Sequence, residues 1–312
     1  MNQYGQLTSD KLEEHFSNFL RDSWSYSALS EFVGNPKAFE MKYIYNIYSQ
    51  SAASAVSGNA YHNALQYYFE VKKEGRIAPD VIKLQEIAFD YIHSIAPDKW
   101  KVQKTTPTIE NCINTSTKNV TILLNNFFAE KHVYEDYIEE IIGVELSFEE
   151  WVIINGVDIP LPCKGKIDLV IKTTKGKICV IDHKSKKAFT DEKTAQYIIG
   201  QQAMIYALGC EQKTGLKVEE VCFIENKSSK NKDGSAQLKP IVVELTDNTR
   251  RVYEYFIYES LRNMILALQD PDYVYPINYR DNLNDFNVLF EFAADTILSE
   301  VDTINVADSK RE

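Results

Sequence analysis

Lys164-Gly-Lys-Ile-Asp168-Leu-Val-Ile-Lys-Thr-Thr-Lys-Gly-Lys-Ile-Cys-Val-Ile-Asp182-His-Lys184 is the stretch whose reading decides the fold. Two apolar runs rich in β-branched residues, 167–171 and 178–181, read as strands. Thr173-Thr-Lys-Gly176 carries the turn chemistry between them, with Gly176 suited to the left-handed position of a three-residue hairpin loop. Pairs across a hairpin sum to a constant, so this register sets Asp168 opposite Asp182. Two carboxylates then face each other, which is destabilising unless something neutralises them. A bound divalent cation is the simplest neutraliser. Strand side chains alternate, so Asp182 and Lys184 share a face while His183 points away. A lone Asp-x-Lys is ordinarily an ion pair at a strand end; the hairpin context argues for more.

Working outward, 312 residues suffice for one large or two modest domains. A hydrophobic content of 44% with 12% aromatics supports a sizeable core and excludes a disordered chain. The five cysteines are odd in number and form no Cys-x-x-Cys pair, which fits buried thiols in a reducing compartment. Residues 1–14 are polar and lack the apolar core of a secretory signal, and no run reaches membrane-span length. The expectation is a cytoplasmic protein with no membrane partner. A formal net charge of −11 argues against indiscriminate nucleic-acid binding. Residues 164–193 nevertheless hold nine Lys against four Asp and Glu. That local excess is either a solvated surface or a basic path for a polyanion.

Residues 1–22 read as a polar, helix-prone arm. Ser23 to Phe32 opens with Ser capping candidates and leads into an apolar helix that Asn35-Pro36 breaks. An aromatic helical segment follows from Lys37 to Tyr48. A helix starting near Ser57 places His62 in its first turn. Residues 76–140 read as helical throughout. A strand from Val144 to Ile154 precedes Asn155-Gly156, a strong hairpin signal. Thr190 is the capping candidate for a helix over 191–213 that Gly215 stops, and on it Gln202 and Tyr206 share a face. Strands over 218–225 and 238–245 and a long helix over 246–269 complete the pattern. The tail from Ser299 is polar.

The order of these signals is more specific than any one of them. Gly58-x-x-x-His62, Gly165-x-x-Asp168, Asp182-x-Lys184 and Gln202-x-x-x-Tyr206 together resemble the RecB-type branch of the PD-(D/E)XK nucleases, including its CRISPR-associated and phage exonucleases. Ser25-x-Ser27-x-Leu29 and Asn35-Pro36 resemble the N-terminal segment of that branch. The resemblance implies an α/β fold with a restriction-endonuclease-like core, a central mixed β-sheet flanked by helices. On this pattern 1–22 is an arm, 23–270 the nuclease domain with a helical insertion at 76–140, and 271–312 a C-terminal extension.

The resemblance also implies roles. His62, Asp168, Asp182 and the backbone carbonyl of His183 would bind metal, and Lys184 would orient or activate the attacking water. Gln202 and Tyr206 would contact DNA, and Glu145 would be an auxiliary carboxylate. Asp182 stands where many members have Glu. Asn35 stands where iron–sulfur members have Cys, and no cysteine follows Cys222, so no cluster is expected.

Phosphodiester hydrolysis needs a nucleophile at neutral pH and charge stabilisation, both of which a divalent cation supplies. Carboxylates and a carbonyl suit Mg²⁺, and an imidazole admits Mn²⁺. The expected function is a Mg²⁺-dependent deoxyribonuclease, an exonuclease of recombination, repair or end processing in a bacterial cell or phage-infected host. Its expected partners are DNA that is single-stranded or has a free end, and a recombination or processing protein. The alternative is a non-catalytic nucleic-acid-binding subunit that kept the fold. The stretch 76–140 could project over the site as an arch, with Phe89, Tyr91, Trp100, Phe127 and Phe128 stacking on bases, although core packing is the commoner role for such aromatics.

Overall fold

The computed structural model describes residues 3–47, 50–229 and 231–278, leaving aside the side chains of 192–198. In chain order the helices are α1 (Ser9–Phe16), α2 (Tyr26–Gly34), α3 (Pro36–Phe39), α4 (Ala53–Lys73), α5 (Val81–His93), α6 (Ile109–Glu130) and α7 (His132–Glu135). Then come β1 (Ile138–Glu150), β2 (Ile153–Ile154), β3 (Val157–Asp158), β4 (Cys163–Thr173) and β5 (Ile178–Lys186). They are followed by α8 (Glu192–Thr214), β6 (Glu220–Lys227), β7 (Leu238–Glu244) and α9 (Asp247–Gln269). The described residues form two compact units, those within 1–11, 22–26 and 50–259 on one hand and those within 12–21, 27–47 and 260–278 on the other.

The larger unit is built on a five-stranded mixed sheet in the order β1-β4-β5-β6-β7. All neighbours are antiparallel except β5 and β6, which are parallel and joined through α8. The β4–β5 hairpin pairs Leu169 with Ile181 and Ile171 with Cys179, the register read from the sequence. Its loop closes with Thr173 N–H donating to Lys177 O at 2.8 Å and Gly176 at φ 78°. Asn155 and Gly156, both at positive φ (53° and 74°), turn β2 into β3, the conformation that makes Asn-Gly a hairpin signal.

One face of the sheet packs under α4, α5 and α6. Leu169, Ile171, Cys179, Ile181, Cys222 and Ile224 meet Tyr61, Tyr68, Leu84, Ile92, Leu123 and Phe127 in a single core. On the opposite face α8 lies against β1 and β4. The Phe148 ring of β1 fills the space between Gly165 of β4 and Gly209 of α8, and a Cβ on either glycine would drive into that ring. Two glycines facing one ring let α8 sit close to the sheet.

The region 76–140 differs from the sequence expectation. Its helices α5 and α6 are interrupted by a 3₁₀ turn over Pro97–Lys99, and β1 already begins at Ile138. Ile138, Ile141 and Ile142 have helical spacing, but pairing with β4 makes the segment a strand. Nor does the region stand above the sheet as an arch. Trp100 and Phe127 are fully buried, and Phe89, Tyr91 and Phe128 pack on the same core, so the helices are a structural layer. The α4 helix starts at Ala53 rather than near Ser57, which moves His62 from the first turn to near the middle. Thr190 does not cap α8; its N–H and hydroxyl go to Glu225. Gly215 ends α8 at φ 73°, as expected.

In the smaller unit Asn35 caps α3, its side chain accepting the Ala38 N–H at 3.3 Å ahead of Pro36 at the first helical position. Phe32, Phe39 and Tyr275 form an aromatic cluster there. The expected extension over 271–312 lies outside the described residues from 279 onward.

Candidate active site

The hairpin ladder ends at Leu169 and Ile181, and the two predicted carboxylates sit one residue beyond it on either strand. Asp168 Oδ2 takes up where backbone pairing stops, accepting the His183 N–H at 2.7 Å. The same oxygen lies 3.2 Å from His62 Nδ1 and 3.6 Å from His183 Nδ1. Burial alone would raise the Asp168 carboxyl, but the hydrogen bonds from His183 and His62 prevail and hold it well below the usual range. Burial likewise disfavours a charged His62, yet its bond to Asp168 lifts its pKa above the ordinary value. Oδ1 of Asp168 is engaged by none of these groups.

His62 reaches this point because α4 lies close to β5. A Cβ on Gly58 would stand 2.8 Å from Ser185 Oγ, so the glycine four residues before His62 removes an obstacle between helix and strand. His183 is held in turn on the α4 side of the sheet. Its ring stacks on Phe69 with centroids 5.6 Å apart, and its Nε2 lies 3.2 Å from the Tyr134 hydroxyl.

Asp182 is almost wholly buried, at 3% exposure. Lys184 Nζ stands 2.7 Å from its Oδ2 as the ion-pair partner of that oxygen. Burial raises the Asp182 carboxyl; Lys184 opposes the rise and the charge of Asp168 adds to it. A buried carboxylate facing a second carboxylate, with a single lysine as its ion-pair partner, leaves charge for a ligand to offset.

Around it, Gln202 Nε2 donates to the Tyr206 hydroxyl at 3.0 Å. The Tyr206 hydroxyl is pushed far up, by burial first and by Asp182 second. Gln202 is itself buried, so its amide holds Tyr206 beside Asp182. Glu145 falls opposite Asp168 by register, between the pairs Val144–Leu169 and Leu146–Ile167. Its backbone is left-handed (φ 50°) and its carboxylate pairs with Lys166. The structure thus gathers His62, Asp168, Asp182, His183, Lys184 and Tyr206, while Glu145 is turned toward a lysine. Tyr134 and Glu225 carried no motif and were invisible in the sequence.

The sequence matches the PD-(D/E)XK nuclease superfamily over residues 23–275. The chain belongs to the PD-(D/E)XK nuclease superfamily. A crystal structure from Eubacterium rectale described as a "Putative exonuclease" superposes with a TM-score of 0.51 at 14% identity, covering 89% of this chain and 92% of its own. It has the same fold. A second solved structure, described as SSO0001, covers 82% of both chains at 16% identity, with a TM-score of 0.32. No curated protein matches the sequence.

Members of this nuclease superfamily generally use divalent metal ions, usually Mg²⁺. Among the described residues no three His, Cys, Asp or Glu side chains are gathered tightly enough to hold an ion unaided. Mg²⁺ does not need such a cage, because it is commonly held by one or two carboxylates with water completing its shell. The Asp182 and Asp168 carboxylates, side by side at the end of the hairpin ladder, fit that requirement. In the state described His62 serves Asp168 instead. No helix among the described residues is long and apolar enough to cross a membrane.

Proposed function

We propose that this nuclease is a Mg²⁺-dependent deoxyribonuclease that works from a free end in DNA recombination, repair or end processing, with Mn²⁺ able to substitute. The observation that carries the reading is a buried Asp182 with the Lys184 ammonium 2.7 Å from its Oδ2, on the strand position opposite the second carboxylate, Asp168. When bound, the cation would lower the pKa of water and offset charge on the phosphoryl oxygens. Asp168, Asp182 and the His183 carbonyl would hold it, with His62 available as a further ligand. Lys184 orients the attacking water and counters developing negative charge. Tyr206, fixed by Gln202, faces the scissile phosphate. The RecB-type motif order supports exonuclease action, the activity named for the bacterial neighbour of the same fold. Work in the cytoplasm of a bacterial cell or phage-infected host belongs to the same reading.

The test is digestion of end-labelled linear and covalently closed circular DNA, single- and double-stranded, with Mg²⁺ or EDTA. Metal-dependent loss of linear substrate with circles intact is expected. Equal cutting of circles refutes action from an end. Binding without any cleavage would instead make the chain a non-catalytic nucleic-acid-binding subunit.

A further inference from the structure

Asp182, Lys184 and Lys186 alternate onto one face of β5. The parallel register sets Glu225 beside Lys184 and Lys227 beside Lys186. The next register sets Lys239 beside Glu225. Partners across a sheet share a face, so a row of lysines runs from the carboxylate site across β5, β6 and β7. Lys186 and Lys227 are immediate neighbours, and adjacent like charges are unfavourable. In a chain of net charge −11 this concentration is not a product of composition.

Glu225 organises the row. It is buried, lies 3.5 Å from Lys186 Nζ, and accepts the Thr190 N–H at 2.7 Å as well as the Thr190 hydroxyl. It therefore fastens the connection between β5 and α8 to the sheet. That connection carries Phe189, whose half-buried ring has Lys227 Nζ 5.1 Å from its centroid. An aromatic ring beside Lys227, with Lys186 the strand partner of that lysine, has the two parts of a single-strand site: a stacking platform and cations for the backbone.

We propose that this face binds one strand of a nucleic acid, with Lys186 and Lys227 on its phosphates and Phe189 stacked on an unpaired base. The proposal rests on the nuclease reading of the adjoining carboxylate site. Lys186 lies four residues along β5 from Asp182, about 13 Å. The strand is thus held at a set distance from the cleaved bond. Glu225 is a positioning residue here, acting through Thr190 and Lys186.

The experiment measures anisotropy of a short labelled oligothymidylate in EDTA over a salt series, with melting curves for every variant. For a single strand the salt slope is about 0.7 per neutralised phosphate. Lys227→Gln should lower it by about 0.7, and Lys186→Gln with Lys227→Gln by about 1.4. Phe189→Ala should weaken binding roughly 5- to 150-fold, and that loss should vanish on an abasic strand of equal length. Lys172→Gln, at the far end of the β4–β5 hairpin, should keep the wild-type slope. Folded Lys186 and Lys227 variants with unchanged slope overturn the proposal, as does wild type that binds only duplex or nothing. Cleavage of the same strand by wild type with Mg²⁺ is scored separately. Cleavage with unchanged slopes sinks the platform alone, and changed slopes without cleavage sink the nuclease reading alone. An oligouridylate arm tells whether DNA or RNA is preferred.

Discussion

Asp182→Ala separates a metal site from a structural ion pair. Asp182 is 3% exposed, and burial raises its carboxyl, with Lys184 opposing the rise and the charge of Asp168 adding to it. A buried polar group that its partners satisfy incompletely costs up to about 1–3 kcal/mol. Lys184, its side chain 30% exposed, can return to water once the carboxylate is gone. The small cavity takes back part of the gain. The metal-free variant should therefore equal wild type or exceed it by up to roughly 2 kcal/mol, a rise in melting temperature of a few degrees. Wild type should gain about 2.7 kcal/mol from a cation at a hundred times its Kd, roughly 5–11 °C. Asp182→Ala should gain almost nothing and should not cleave. Lys184→Ala should keep the metal-dependent rise while turnover falls on the order of 10²–10³. Melting curves of the three proteins with EDTA, Mg²⁺ and Mn²⁺, beside a nuclease assay, decide the matter. Equal destabilisation of both metal-free variants with an unchanged metal response would falsify the reasoning.

Gly209→Ala should cost about 1–3 kcal/mol by forcing the Phe148 ring aside, and Phe148→Leu in the same chain should recover part of it in denaturant titrations. Glu135 bridges Lys72 at 2.8 Å and Lys131 at 2.9 Å; burial works to raise its pKa, but the two lysines bring it below the ordinary carboxylate value. Its contribution is therefore complete above the unfolded-state pKa and is lost as pH falls through the depressed folded value. Glu135→Gln should be less stable than wild type by about 1–3 kcal/mol at neutral pH, and the gap should close only in acid; a gap that persists there refutes the assignment. Asn35→Ala should cost about 1 kcal/mol through the lost cap, and the purified wild type should be colourless; stoichiometric iron with visible absorbance would contradict the reading of Asn35 as a cap in place of a cluster ligand.

The β4–β5 hairpin was legible because three local signals agreed: β-branched runs, a Gly at the left-handed turn position, and a fixed sum across the pairs. The Asn155-Gly156 turn and the Gly215 stop were legible for the same reason, since positive φ restricts residue choice. The start of β1 was not, because Ile138, Ile141 and Ile142 satisfy helical and strand spacing alike and only β4 decides. Thr190 had the chemistry of a cap, but a buried carboxylate 35 residues later claimed both of its donors. Tyr134 and Glu225 act through contacts between distant segments and leave no periodic trace.

The position of the site follows from the way the hairpin opens. While β4 and β5 remain paired, side chains point away from the ladder and backbone groups satisfy one another. Past Leu169 and Ile181 the recorded pairing stops, and the His183 N–H needs an acceptor. Asp168 supplies it from its side chain, which turns that carboxylate inward and fixes it by a backbone hydrogen bond. Asp182, across the opening, is met instead by the Lys184 ammonium at 2.7 Å. The two carboxylates are therefore not equivalent, although the sequence places them symmetrically. Asp168 is anchored and held ionised by His183 and His62, whereas Asp182 is buried with a raised pKa and one lysine close by. On the proposed reading a cation would relieve Asp182 more than Asp168, beside Lys184, the residue proposed to position the water.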